Sequence, residues 1–174
     1  MKKKKILTRS QNMARIKSKN TKPEIYIRKL LFKMGYRYRI NYSTLPGTPD
    51  IYILKYKTVI FVNGCFWHRH EDCKIATFPH VREEFWERKF RRNVERDIEI
   101  REKLFEMGIS VINIWECEIR EMQKNENYRK KYLEILKDRI DRVFNYCEKD
   151  ISVQMKISDS GEKYKETNKN KIKF

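Results

Sequence analysis

The sequence predicts a single α/β domain in which a mixed β-sheet is flanked by helices, and three observations carry that expectation. Hydrophobic periodicity runs in the order helix, helix, three strands, long helix, strand, helix. The chain has 174 residues, 40% hydrophobic and 13% aromatic, enough for one core and against wholesale disorder. The fourth strand candidate, ISVINIW at 109–115, is apolar at nearly every position, as a strand covered on both faces would be.

Taken in order, a basic start (1–7), expected to be mobile, leads to a short helix candidate, TRSQNMARIKSKNT. The next stretch, KPEIYIRKLLFKMG, repeats Ile25, Leu30, Leu31 and Met34 near helical spacing, and Gly35 supplies the stop. YRYRIN reads as a strand, LPGTPD as a turn, and IYIL and KTVIFV as further strands, so 37–62 is expected to be an antiparallel segment. The cysteine-rich stretch NGCFWHRHEDC (63–73) reads as a loop. A long helix is expected from about 81 to 108, closed by Gly108, and a last helix over roughly 127–147. Residues 1–147 thus form the expected domain, and 148–174, polar and rich in Lys, Glu, Asn and Ser, an expected disordered tail.

Lysine and arginine outnumber aspartate and glutamate by 41 to 24, a formal charge of +17 spread through the folded region. Such a balance points to a polyanionic partner. No apolar run approaches a spanning helix, and MKKKKIL lacks the apolar stretch and cleavage site of a signal peptide, so a cytoplasmic protein without membrane attachment is expected. In that reducing compartment the four cysteines are expected as metal ligands or thiols rather than disulfides, Cys147 as an inert helix thiol.

Cys65, His70 and Cys73 read C-x4-H-x2-C, soft and imidazole ligands of the kind Zn²⁺ prefers. A closed tetrahedron needs a fourth ligand, and Cys117, directly after the buried strand in IWEC, is the best candidate. The pattern alone leaves His68 in competition with His70. A second cluster centres on Asp50, at the entrance of a strand with another running alongside, where many Mg²⁺-dependent nucleases hold their ion. The same residue type also serves ordinary turns. On the long helix, Trp86, Asn93 and Asp97 fall on one stripe, with Phe90, Val94, Ile98 and Phe105 as an apolar stripe beside it. Asp97 at that edge either orients an imidazole, for which His68 is available, or pairs with Arg101 one turn on.

VIFVNGCFWHRH, CKIATFP, EFWERKFRRNVERD and INIWECEIR occur in that order. On these motifs, over roughly 8–122, the chain resembles the very-short-patch-repair (Vsr) DNA mismatch endonucleases. The resemblance implies a restriction-endonuclease-like fold with a structural zinc. It also implies a Mg²⁺-dependent nick in one DNA strand, 5′ to the thymine of a T·G mismatch left by deamination of 5-methylcytosine. It makes Asp50 the Mg²⁺ ligand, His68 the catalytic histidine and Asp97 its orienting carboxylate, and matches Cys65, His70, Cys73 and Cys117 to the zinc ligands. Phe66, Trp67 and Trp86 match the aromatics that wedge into the duplex, Met13 the residue entering from the opposite groove, and Glu24 a position associated with the active site.

Where the family's familiar form has Thr-His before Gly-Cys, this chain has Val62 and Asn63. Val62 still offers a backbone carbonyl to a metal; Asn63 can hydrogen-bond a phosphate but cannot shuttle a proton at neutral pH. Asn93 and the basic Arg9, Lys17, Arg91 and Arg92 complete the expected DNA contacts. The expected partner is double-stranded DNA carrying a T·G mismatch, with other repair proteins as further candidates, and the expected state is a monomer. Two other functions fit the same residues: a sequence-specific endonuclease of this fold acting on matched DNA, and a zinc-stabilised DNA-binding module without catalysis.

Overall fold

The structure, a computed structural model, describes residues 19–142. Met13, Arg9, Lys17, the first helix candidate up to residue 18, the tail and Cys147 lie outside them; the candidate's last residues, 19–21, are not helical.

The elements are α1 (Lys22–Lys33), β1 (Arg39–Ile40), β2 (Ile51–Ile53), a 3₁₀ turn (Leu54–Tyr56), β3 (Thr58–Asn63), α2 (Glu83–Glu106), β4 (Ser110–Trp115) and α3 (Glu116–Lys124). A further helix, α4, occupies 126–142. The sheet order is β1-β2-β3-β4, antiparallel at the first two pairings and parallel at the third. The expected mixed α/β sheet is therefore present, its parallel pair bridged by the loop and α2, as a parallel connection requires.

α1 begins where Thr21 accepts a hydrogen bond from the Glu24 amide, with Pro23 in the first turn. It ends where Tyr36 N–H returns to the Leu31 carbonyl at 3.0 Å, and α2 closes likewise through Ile109 and Leu104 at 2.9 Å. Gly35 and Gly108 both adopt positive φ there, so the expected stops are the observed ones.

Alternation along the strands sorts the core into two clusters. Ile51, Ile53, Ile60, Ile112 and Ile114 face α1, α3 and α4, which supply Ile27, Leu31, Ile119, Met122, Leu136 and Ile140. Tyr52 and Val59 face the other way, toward Leu104 of α2, with Phe61, Ile100 and Val111 packed alongside.

Four expectations need correction. The strand read over 36–41 is only Arg39–Ile40, because Tyr36 and Tyr38 leave the ladder: Tyr36 N–H bonds back to α1, and Tyr38 Oη donates to the Arg28 carbonyl at 2.8 Å. α3 falls in a stretch to which the sequence assigns no element; only Ile119 and Met122 are buried in it, too few to announce a helix. β4 is sealed at Ile112 and Ile114, but Val111 and Asn113 on its α2 face are half-exposed. The apolar stripe expected on α2 is not its packed face, since Ile98 is 51% and Phe105 79% exposed. The packed stripe is Trp86, Phe90, Asn93, Asp97, Ile100 and Leu104, at alternating helical steps of four and three. The helix is rotated so that two polar residues lie within its inward face.

Candidate active site and metal centre

Asp50 ends the turn that leads into β2. Thr48 N–H closes that turn on the Leu45 carbonyl at 3.1 Å, and Tyr42 N–H meets the Pro49 carbonyl at 3.2 Å. Gly47 sits there at φ +74, and a Cβ on it would stand 2.7 Å from Cγ2 of Ile100, so both backbone and space exclude any side chain. The tight turn carries Asp50 beneath β3, where Oδ2 accepts the Val62 amide at 2.8 Å. Burial raises the Asp50 carboxyl from 3.8 to about 6; the Val62 amide opposes this, the Glu24 charge adds to it, and Arg28 and His68 oppose it.

Glu24 lines the same cleft, but both of its oxygens are engaged. Thr21 Oγ1 donates to Oε1 at 2.7 Å, while the Asn20 amide and Arg28 Nη2 donate to Oε2, each at 2.8 Å. Arg28, buried on the next turn of α1, also donates to the Asp50 carbonyl at 3.3 Å and to Asn20 Oδ1 at 2.6 Å. Sequence reading missed this guanidinium, although its i, i+4 spacing from Glu24 was the available signal. It also missed Glu116, which lines the cleft from the first turn of α3 and accepts Arg120 Nη2 at 2.6 Å.

His68 comes to the cleft from the loop. The loop starts with a tight turn in which Trp67 and His68 N–H both reach the Gly64 carbonyl, at 3.1 and 3.2 Å. Asn93 Nδ2 donates to the Trp67 carbonyl at 2.9 Å and clamps the loop to α2. One turn on, Asp97 Oδ2 lies 2.5 Å from His68 Nδ1. With the Nδ1–H donated to Asp97, Nε2 is left to accept a proton. Asp97 takes the imidazole rather than Arg101; its other close cation is Arg96, at 3.4 Å. Asp50, Val62, Asn63 and His68 line one cleft of about 530 Å³. Its hard oxygens and roomy cross-section suit a hydrated Mg²⁺, which keeps several waters.

The same loop carries the metal centre. The ligand atoms of Cys65, His70, Cys73 and Cys117 all lie within 4.8 Å of one another. His70, not His68, faces the cysteines: its Nδ1 is 3.3 Å from Cys117 Sγ and 3.7 Å from Cys65 Sγ, and its ring stacks on Trp115 at 4.1 Å. Cys117 lies in the first turn of α3, so the helix N-terminus favours a thiolate there. Against that, burial and then the two neighbouring sulfurs push its thiol up to about 12. Three crowded thiols that cannot ionise together call for a cation among them, and the donor set fits a four-coordinate metal.

Phe66 and Trp67 are half-exposed rather than sealed inside. Phe66 meets Trp67, Trp86 and Phe90 edge-on, with centroids 5.1, 5.4 and 5.1 Å away. Trp86 is buried as the floor of this cluster. Arg91 pairs with Glu87 at 3.0 Å, while Arg92 is exposed.

Comparison with known proteins gives consistent matches. The family model described as DNA mismatch endonuclease Vsr matches residues 2–75. The type II nicking enzyme V.NmeAIP of Neisseria meningitidis serogroup A / serotype 4A is 46% identical over 112 residues, 64% of this chain and 79% of that protein. The DNA mismatch endonuclease Vsr of Escherichia coli (strain K12) is 41% identical over 117 residues, 67% of this chain and 74% of that protein. The type II nicking enzyme V.XorIIP of Xanthomonas oryzae pv. oryzae is 41% identical over 110 residues, 63% and 80% respectively.

Proposed function

Since the chain belongs to the Vsr family of DNA mismatch endonucleases and is thus a DNA endonuclease, a hydrolase, we propose that it nicks one strand of duplex DNA 5′ to the thymine of a T·G mismatch. The observation that carries this reading is the His68–Asp97 contact opening onto the same cleft as Asp50. Two roles that hydrolysis of a phosphodiester needs, a hard oxygen ligand and a positioned proton acceptor, are then within one substrate's reach.

Asp50 and the Val62 carbonyl would hold Mg²⁺, which when bound activates water and stabilises charge on the phosphate. Asp97 fixes the His68 tautomer, so Nε2 takes or returns a proton at the reacting oxygen. Asn63 donates to a phosphate oxygen without exchanging protons, and Glu24, locked by Arg28, shapes the charge beneath Asp50. Products are a 5′-phosphate and a 3′-hydroxyl. Zinc on Cys65, His70, Cys73 and Cys117 serves structure, holding Phe66 and Trp67 outward. Those rings wedge into the mismatched step, where unstacking is cheapest; Trp86 joins them only when the ring cluster opens. Met13, Arg9 and Lys17 act on the same duplex, as a monomer on cytoplasmic DNA.

The zinc-loaded protein should nick a T·G duplex in Mg²⁺ and leave T·A and C·G duplexes intact. Equal cutting of a matched duplex would transfer the reading to a sequence-specific endonuclease of the same fold. Asp50→Ala should abolish nicking while DNA binding and zinc content stay nearly unchanged; binding without nicking in the unaltered protein would remove catalysis altogether. Cys117→Ser should lower zinc content and melting temperature together, and full zinc in that variant would exclude Cys117 as a ligand.

A further inference from the structure

A second cavity, of about 350 Å³, adjoins the cleft; Asp97, not Asp50, lines it, and His68, Asn63, Phe61, Gly47 and Thr48 are shared by both. The imidazole therefore stands between the two spaces. The chamber's floor is apolar, from Phe61, Ile100 and Val111, but its walls and rim carry donors: Asn63, Asn113, Arg96 and Arg101.

The sheet register explains how the two amides meet. β3 and β4 run parallel with Phe61 opposite Asn113 and Asn63 opposite Trp115, so the asparagines are diagonal neighbours on the face toward α2. Asn63 is only 8% exposed, and its amide has no hydrogen-bond partner among the described residues. Asn63 lines the cavity with its amide open to it rather than sealed, so its hydrogen bonds are available to a polar ligand. Asn113 is half-buried and likewise unpartnered, and Arg101 makes no ion pair among the described residues. Asp97, the one carboxylate lining the chamber among the described residues, is already committed to His68 and Arg96. Donors thus exceed acceptors, and a ligand here must be anionic and rich in acceptor oxygens.

We propose that Asn63, Asn113, Arg96 and Arg101 form a subsite for the phosphodiester next to the scissile one on the cut strand. It rests on the placement of His68 at the scissile phosphate, because a strand lying against the imidazole passes from the cleft into the chamber. Guanidinium and amide donors then hold the neighbouring phosphate and set how far the strand advances over His68.

The test uses the zinc-loaded full chain without magnesium and measures equilibrium binding to T·G duplexes, each with one phosphate around the nick replaced by an uncharged methylphosphonate. Neutralising one of the two phosphates flanking the scissile one should weaken binding about tenfold, the size of one charge-assisted contact. Arg101→Gln should weaken binding to the unmodified duplex by a similar factor, lower the salt slope by about one, and lose nothing further at that position. Asn113→Leu, which keeps the charge and suits a half-buried strand, should give a smaller loss with the same positional signature. Losses that multiply at every position would overturn the subsite. So would a loss shared with Arg101→Gln on removal of the neighbouring base rather than the charge, which makes the chamber a base pocket. Coupling found only several nucleotides from the nick overturns it through its premise, the placement of His68; absence of coupling with nicking intact overturns it and leaves the premise standing.

Discussion

The two faces of the sheet are built from the same strands and do opposite things. Toward α1, α3 and α4, Ile51, Ile53, Ile60, Ile112 and Ile114 make an unbroken apolar layer, each at most 2% exposed. Toward α2 the layer begins the same way, with Tyr52, Val59 and Leu104, and then gives way to Asn63, Asn113, His68 and Asp97. The polar residues occupy positions that packing alone would fill with leucine or valine. Where a core tolerates that, the tolerance needs a ligand or a reaction to explain it.

The sharpest way to break this contrast is Asp97→Asn. It should lower the nicking rate by about 10³–10⁴, since the imidazole loses its orienting charge, while stability changes by less than about 1 kcal/mol. A melting temperature that falls as steeply as the rate would place Asp97 with the packing residues. The reciprocal change, Ile114→Ala on the sealed face, should cost about 2–5 kcal/mol in denaturant unfolding and leave the rate per folded molecule alone.

A pH series sharpens the same line. Because burial raises Asp50 to about 6, the folded metal-free protein takes up a proton between about pH 6 and 4 that the unfolded chain does not. That group's contribution to stability is therefore full below about pH 4 and gone above about pH 6. Loading Mg²⁺ needs the carboxylate, so nicking at limiting Mg²⁺ should fall about tenfold per pH unit below 6, as stability of the metal-free protein through this group rises. Calorimetry of Asp50→Asn should show that part of the pH dependence removed. The smallest effect belongs to Phe105→Ser, expected within about 0.5 kcal/mol because the ring is 79% exposed.

What could be read in advance follows the reach of each signal. Local signals placed α1, its start at Lys22 and its Gly35 stop, and strands β2 to β4 within a residue or two, because each depends on neighbours in the chain. The cysteine–histidine set and the pairing of His68 with Asp97 were named as candidates from motifs and the family resemblance; the structure brings each group together. The rotation of α2 was misjudged, because Ile98 and Phe105 satisfy helical periodicity while the sheet and the loop decide which side is covered. Arg28 beneath Asp50, and Asn113 beside Asn63, arise from a helix-to-turn contact and a parallel strand register, neither visible in a linear pattern.

His68 lies two residues before His70, and Asn93 grips the backbone between Cys65 and His68. The count of residues from Cys65 to Cys73 is thereby frozen: one inserted amino acid would displace either a cluster ligand or the imidazole, and no side-chain replacement could restore both. Residues 74–82, running from the last loop ligand to α2, carry no such arithmetic. Length variation across the family's history is expected to collect there.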